Sequence, residues 1–553
     1  MRSQVFLNTL FGLFIIINNH HAAADVSSAV ADMDAWIATE KVVLDILQRT
    51  LHEERRKLRE AKRLKGRLSQ LLEEGNERRP RNAFQHMKLW LTLDDVVSVI
   101  STDVFTEHYK LLEEERCVQT FPDKQEIDNY GEIFARLQLV YKIHPQDIAE
   151  GRIPGTRKTI PFTSEEAFLI GHQQAQSLLF NAAAAWLETA LETYIEEPEG
   201  EKTGNVLDIL NWLQLTIYQD TGNAVRALEY SLQMQEIDPE YWNLKDNIKV
   251  YENMINNLTA VQMEAFRNAP NATVSFNTGA VDPLSVSSAD EAYRALCRGE
   301  ERMDPGIRNR LKCHYQTYNN PYLLIQPVKV EQLYDDPQII MFHSVLLETQ
   351  ASRIRQVGHH HLSRGRVAGG DVRGMVSNYR ISKIAFLEES IDPVIAEVNR
   401  YIGHITNLDS SIAEDLQVNN YGIGGHYSSH YDFYTNVHDV FNLIAPMTNY
   451  EIWGDRLATF LLYMTDVEAG GATVFPRLNL TLFPAAGSAV FWYNKFKDLS
   501  PDPRTFHAGC PVLAGNKWIS NKWIREKGQD KYRPCALQPD GVANLTNWLE
   551  RFA

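Results

Sequence analysis

Cysteine is scarce in this chain, five among 553 residues. That is too few for a disulfide framework to hold a chain this long, so ordinary apolar cores must do so. Basic residues are outnumbered, 55 Lys and Arg against 71 Asp and Glu, and the formal net charge of −16 removes any general attraction to nucleic acid or an anionic membrane. Long apolar runs are missing too. The run over 5–17 holds 13 residues, short of the ~20 that a helix needs to span a bilayer. It follows Arg2 and precedes Ala22, Ala23 and Ala24, the order of a cleaved secretory signal over 1–24. Sequons at Asn257, Asn271, Asn479 and Asn544 suit the same secretory route. In that oxidising compartment the nearest cysteines are expected to pair, Cys297 with Cys313 and Cys510 with Cys535, leaving Cys117 alone.

What is present is organised in blocks. Over 32–74, Ile37, Leu44, Leu47, Leu51 and Leu58 form a near-heptad stripe between dense charges, so a helical N-terminal region over 25–155 is expected to pair with a second helix. That helix is either a second copy, which makes this a dimerisation region, or a neighbour in the same chain. The loop EGRIPGTRKTIPFTS interrupts regular structure. Beyond it, over 160–260, YQDTGNAVRALEYSLQMQEIDP places Tyr218, Gly222, Ala227, Leu228 and Pro239 at the offsets of a tetratricopeptide helix pair. With the apolar helix FNAAAAWLETAL this predicts a small groove-forming module, and a plain helical bundle is the other reading. A linker over 261–325 carries the expected pairing of Cys297 and Cys313. Short β-rich runs such as QIIMFHSVLL, ATFLLYMTDV and SAVFWYN over 326–535 predict an all-β sandwich or barrel, and 536–553 is a tail.

The segment GHYSSHYDFYTN concentrates His426, His430 and Asp432. Residues i and i+2 of a strand point to one side, so His430 and Asp432 can converge on one ion. A site of two histidines and one carboxylate needs a third ligand and leaves positions open for substrate and oxygen. His438 and the run His359, His360, His361 sit in loop-like contexts. His507 is the better choice, because a strand-like run follows and Lys517 comes ten residues later. That even spacing points both side chains inward if the strand is regular. A cation beside a metal has one evident use, holding the far carboxylate of a dicarboxylic acid whose other end chelates the ion.

The runs QVNNYGIGGHYSSHYDFY, FLLYMTDVEAGGATVFP, GSAVFWYN and HAGCPVLAGNKWISNKW closely resemble the catalytic domain of the collagen prolyl 4-hydroxylase α-subunit family. ALCRGE, NYRISKIAFL and the local cysteine pairs fit as well. The resemblance is strong over roughly 290–535 and looser across the helices before it. It implies a multidomain architecture, all-α at the N-terminus and in the tetratricopeptide-like peptide-binding module, then a C-terminal double-stranded β-helix or jelly roll. In it His430, Asp432 and His507 would bind Fe(II) and Lys517 the C5 carboxylate of 2-oxoglutarate. Tyr421 and Trp523 would line the cosubstrate pocket, and His426 would stand at its rim. The implied reaction is hydroxylation of C4 of peptidyl proline in collagen-like X-Pro-Gly sequences, with 2-oxoglutarate and O2 giving succinate and CO2, and L-ascorbate rescuing oxidised iron. Protein disulfide isomerase is the implied β subunit of an α2β2 tetramer, procollagen-like peptide the substrate and the endoplasmic reticulum lumen the location.

Two departures stand out. The family's second histidine, eight residues after the lysine, is replaced by Arg525, which keeps a positive charge near the cosubstrate but cannot be a neutral acceptor. The family's tyrosine-rich peptide groove is matched here by Phe180, Trp212 and Tyr218, with Trp186 either groove or core. That leaves room for a non-collagen, proline-rich secreted substrate. A dioxygenase acting on lysyl or free substrates, and a non-catalytic peptide-binding or assembly subunit, are the rival readings.

Overall fold

Helices come first and strands after. The computed structural model describes residues 130–156, 161–199, 202–268, 288–300, 303–364, 380–434 and 453–537, with isolated positions before them. The signal-like segment, most of the heptad stripe, Cys117, His438, Asn271 and Asn544 lie outside the described residues. No helix among the described residues is long and apolar enough to cross a membrane.

The helical part contains α1 (Tyr130–Tyr141), α2 (Ser164–Gln176), α3 (Phe180–Glu196), α4 (Val206–Thr221), α5 (Ala224–Ile237) and α6 (Leu244–Asn256). Their ends are written in the sequence. Thr163 and Glu166 form a capping box at the start of α2, the hydroxyl accepting from Glu166 N at 3.3 Å and the carboxylate from Thr163 N at 2.9 Å. Asn205 and Asn223 cap α4 and α5 through their side chains. Gly222 ends α4 at φ 68°, the left-handed turn that glycine adopts at little cost. Consecutive helices from α2 to α6 pack as neighbours. Trp186 is core, not groove. It is 0% exposed and its Nε1 donates to Gln138 Oε1 at 2.9 Å.

Helix α7 (Ser288–Cys297) corrects the expected disulfides. Cys297 is bonded to Cys510, 213 residues away with Cα atoms 5.6 Å apart, whereas Cys313 and Cys535 are exposed free thiols. The physical reason is packing. Cys297 lies in one apolar cluster with Val140, Ala472, Val474 and Ala508, so burial brings it to Cys510 ahead of its sequence neighbour.

The strands follow as β1 (Val328–Tyr334), β2 (Ile339–His343), helix α8 (Glu348–His359), β3 (Lys383–Leu387), helix α9 (Pro393–Thr406) and β4 (Leu416–Tyr421). Next come β5 (His426–His430), β6 (Arg456–Tyr463), β7 (Thr473–Phe475) and β8 (Leu480–Leu482). The last are β9 (Ala489–Tyr493), β10 (His507–Gly509), β11 (Val512–Ala514) and β12 (Lys517–Arg525). Among the described residues one nine-stranded sheet runs β1-β2-β9-β6-β12-β4-β3, with Cys313–Gln316 and Ser363–Arg364 at its edges. A five-stranded sheet runs β8-β7-β10-β5 and then Arg380–Ile381. The large sheet's alternation is explicit in β12. Ile519 faces the interior shared with Tyr421, Tyr463, Trp492 and Phe475, and Trp518 and Ile524 face the outer layer of α8 and α9. Two antiparallel sheets closed face to face around a filled interior make the double-stranded β-helix, and the site lies between them.

A metal centre between the two sheets

On β5 and β10 the register places His430 directly opposite His507, with ring centroids 4.3 Å apart. Asp432 follows two residues after His430. Its Oδ1 is 3.7 Å from His430 Nε2 and its Oδ2 is 3.7 Å from His507 Nε2. One ligand atom from each of the three can be chosen so that all lie within 4.8 Å of one another, and no other such group occurs among the described residues. The second ring nitrogens fix the tautomers. His430 Nδ1 donates to Ser428 O at 2.8 Å and His507 Nδ1 to Thr505 O at 3.0 Å, which turns both Nε2 lone pairs toward the carboxylate.

Electrostatics prepares the same states. Burial, with His507 beside it, pushes His430 down to about 3, so the imidazole stays neutral. Against its own burial, Asp432 is pulled down to about 2 by His507, His430, Arg456 and the Thr459 hydroxyl. Thr459 Oγ1 donates to Asp432 Oδ2 at 2.7 Å, Asn494 Nδ2 to Thr459 at 2.9 Å and Trp492 Nε1 to Asn494 Oδ1 at 2.8 Å. Two imidazoles and one ionised carboxylate brought together are the donor set that suits divalent iron. His426 is buried at the head of β5, outside this group. His359, His360 and His361 are exposed at the end of α8.

Lys517 reaches the interior from the opposite sheet. It is 2% exposed, its Nζ lies 5.4 Å from the Tyr421 ring, and a Cβ on Gly509 would meet Nζ at 3.9 Å. Burial alone lowers its pKa to about 7, with no carboxylate contributing. A buried cation without an anion is costly, and an anionic ligand removes that cost. Trp523 Nε1 is likewise buried without a hydrogen-bond partner, a donor left for a ligand. The even spacing of His507 and Lys517 is not why they converge. Strand β11 and the Gly515 turn at φ 91° lie between them, and the two residues belong to different sheets.

Three family profiles match the chain in order. They are "Prolyl 4-Hydroxylase alpha-subunit, N-terminal region" over 29–155, "Prolyl 4-hydroxylase peptide-substrate-binding domain" over 164–257 and "2OG-Fe(II) oxygenase superfamily" over 416–525. Prolyl 4-hydroxylase subunit alpha-2 of Gallus gallus is 34% identical over 93% of this chain and 96% of its own length. The chain belongs to the prolyl 4-hydroxylase α-subunit family. Subunit alpha-1 of Homo sapiens is 33% identical over 92% of this chain and 95% of its own. Subunit alpha-2 of Caenorhabditis elegans is 32% identical over 100% and 99%. A solved viral collagen prolyl hydroxylase from Paramecium Bursaria Chlorella virus-1, a 2OG complex, covers 34% of this chain at 24% identity and a TM-score of 0.27, which adds nothing to the assignment. As a 2-oxoglutarate-dependent proline dioxygenase of this family, the chain uses Fe(II) and 2-oxoglutarate, and its α-subunit type implies a partner subunit and a peptide substrate.

At the two departures from the family pattern the side chains have partners within the fold. Arg525 is tied up. It pairs with Glu414 Oε1 at 2.8 Å and donates to Gly454 O at 2.8 Å, while Arg456 clasps the same carboxylate at 2.6 and 2.9 Å. Its charge is thus balanced within the fold. Phe180, Trp212 and Tyr218 are all half-buried, and no ring contact among the described residues joins them. Trp212 packs on His172 at 4.3 Å, and Tyr218 on Tyr251 at 5.4 Å with its hydroxyl on Met254 Sδ at 2.9 Å. Asn257 and Asn479 are exposed.

Sequence reasoning missed Thr459, Asn494 and Arg380. The buried Arg380 guanidinium donates to Gln417 Oε1 at 3.1 Å, to Asn419 Oδ1 and to Ser382 Oγ at 3.1 Å, and lies 4.5 Å from the Tyr427 ring, which stacks on His430 at 3.6 Å. The signal for it was the run NYRISKIAFL, which carried resemblance but no role.

Proposed function

We propose that this chain hydroxylates C4 of peptidyl proline in collagen-like X-Pro-Gly sequences, with Fe(II), 2-oxoglutarate and O2, and that His430, Asp432 and His507 hold the metal while Lys517 anchors the C5 carboxylate of 2-oxoglutarate. The observation that carries this reading is the buried, carboxylate-free Lys517 ammonium in the same interior as the three ligating side chains. Bound iron would supply the activation of dioxygen. The chain's own residues do the rest. Ser428 O and Thr505 O hold the imidazoles in their ligating tautomer, and Thr459 fixes one carboxylate oxygen of Asp432. Tyr421 walls the Lys517 end, and the buried Trp523 Nε1 is a donor without a hydrogen-bond partner in the fold. Phe475 and Trp492, from the apolar layer that also holds Tyr463 and Ile519, pack against the His507 ring at 5.6 and 4.8 Å.

Protein disulfide isomerase as β subunit of an α2β2 tetramer, residence in the endoplasmic reticulum lumen and L-ascorbate as the reductant belong to the same proposal. The signal-like segment over 1–24 and the exposed Asn257 and Asn479 sequons support it. The decisive assay uses the full chain coexpressed with the isomerase and a library of proline-containing peptides, with hydroxyproline read by mass spectrometry. Succinate formation with hydroxyproline at X-Pro-Gly is the expected result, and no hydroxyproline on any peptide would overturn it. A second substrate reading, a non-collagen proline-rich secreted protein, is favoured by Trp212 and Tyr218 packing on His172 and Tyr251 within the helical module instead of on each other. In the same library it shows as a preference away from Pro-Gly repeats.

A further inference from the structure

Helix α1 has two faces, each committed to a different part of the chain. On one, Gln138 Oε1 accepts from Trp186 Nε1 at 2.9 Å and from Gln174 Nε2 at 3.3 Å, and Gly131 N donates to Gln173 Oε1 at 3.2 Å. Phe134 meets the Trp186 ring edge-on at 5.7 Å. These contacts seat α1 on α2 and α3. Gln173 directly follows His172, the residue packed on Trp212.

The other face grips two loops of the oxygenase domain. Arg136 Nη1 donates to Gly424 O at 3.3 Å, and the Tyr141 hydroxyl donates to Pro511 O. Ile423 and Leu513 enter the same apolar cluster as Tyr130, Ile133 and Phe134. Residues 422–425 join Tyr421 to β5, which ends on His430, and residues 510–516, with β11 inside them, join β10, which begins on His507, to Lys517. They bond to each other through Gly424 N to Val512 O at 2.8 Å and Val512 N to Gly425 O at 3.1 Å, and Pro511 O also accepts from Gly471 N at 2.9 Å.

The inner side of this junction is the wall of the cosubstrate end. Val512 lies in the inner core with Tyr421, and a Cβ on Gly471 would touch both Lys517 Cδ and Val512 Cγ2 at 3.4 Å. Glycine makes the outer approach possible. Gly424 at φ 71° and Gly470 at φ 73° would each put a Cβ 2.6 Å from an α1 atom, Ile133 Cγ2 and the Tyr141 hydroxyl respectively.

We propose that α1 is a strut coupling occupancy of the peptide-binding helices to the 2-oxoglutarate end of the site, with Tyr141 positioning the segment that leads to Lys517 and Arg136 the loop between Tyr421 and β5 that bonds to it. The proposal rests on the reading of Lys517 as the 2-oxoglutarate anchor. A peptide that orders α2 and α3 also orders α1, and α1 in turn holds residues 511–517 in their binding position. Coupling of this kind is reciprocal, so 2-oxoglutarate tightens peptide binding by the same factor.

The test measures 2-oxoglutarate binding by calorimetry on the assembled full-length protein, with Mn(II) in place of iron and without turnover. Each titration is run with and without a proline-repeat peptide, alongside hydrogen exchange over 511–517. In the wild type the peptide is expected to lower the 2-oxoglutarate Kd about fivefold, within the usual span of such couplings, and to slow exchange over 511–517. Tyr141→Phe, which keeps the ring and deletes the bond to Pro511, is expected to bring that factor below about twofold and to speed exchange there. A thermal melt checks that the variant is folded. A 2-oxoglutarate Kd unmoved by Lys517→Ala would sink the site reading itself. A Kd that responds to Lys517→Ala but is indifferent to peptide and to Tyr141→Phe would sink the strut alone.

Discussion

Asp432 is held from three directions, by two imidazoles at 3.7 Å and by the Thr459 hydroxyl at 2.7 Å, so its charge and its aim are separable by mutation. Asp432→Asn keeps the shape and removes the charge, and metal binding measured by calorimetry should be lost with activity. Thr459→Val keeps the charge and frees the carboxylate, and metal affinity should fall by roughly 10–100-fold, as for other outer-shell partners. Lys517 makes a pH prediction of definite sign. Its folded pKa is about 7, against ~10.4 for an unfolded lysine. Between those values the unfolded chain binds more protons than the ligand-free native one, so native stability rises with pH in that window, by up to ~1.4 kcal/mol per unit. Lys517→Met should flatten that slope in denaturant titrations. Binding runs the other way. An anionic carboxylate favours the protonated ammonium, so the KM for 2-oxoglutarate should climb above about pH 7 in the wild type and stay flatter in Lys517→Arg.

At the level of elements, the Glu414 cluster and the disulfide decide how strands and helices are held. Glu414 serves the buried Arg525 guanidinium and the half-buried Arg456 one, so Glu414→Gln should be destabilising, with the roughly 3–5 kcal/mol of a broken fully buried pair as its upper bound. Arg525→Met leaves Arg456 on both carboxylate oxygens, and should cost about 1–3 kcal/mol while leaving the KM for 2-oxoglutarate nearly unchanged. The bond between Cys297 and Cys510 closes 213 residues, and by chain entropy its removal costs at most about 5 kcal/mol. Non-reducing peptide mapping should recover this cross-link, with Cys313 and Cys535 alkylated in the native state. How much of this was legible depends on range. His430 and Asp432 could be read because they stand two residues apart, at the end of β5 and just beyond it, and the capping residues of α2, α4 and α5 because they too act locally. Thr459 stands 27 residues from Asp432 and acts only through cross-sheet register, which no spacing rule reports. The partner of Cys297 was set by helix α7 packing on the small sheet, and the convergence of His507 with Lys517 by sheet closure across an intervening strand. Arg525 was legible as a departure, but its neutralisation by Glu414 needed the fold.

For the molecule as a whole, the helical module and the oxygenase domain share one apolar cluster. Ile423, from the loop before β5, and Leu513, from β11, are buried with Tyr130, Phe134, Phe162, Trp186 and Ile209. The two parts are also linked by Arg298 donating to Val140 O at 2.9 Å and by the cross-link from α7. Two domains that merely touched would unfold separately, because a polar interface contributes little to either. Here each side supplies part of the other's core, and truncating a buried Leu or Ile to Ala costs about 2–5 kcal/mol. Leu513→Ala should therefore lower the stability of α2 and α3 as well as of the sheets, although it lies in neither helix. Calorimetry of the full chain should show residues 130–537 melting in one main transition that Leu513→Ala shifts as a unit, with hydrogen exchange rising in α2, α3 and β11 together. Two well-separated transitions, only one of them moved by the substitution, would show that the shared cluster is an interface and not a core.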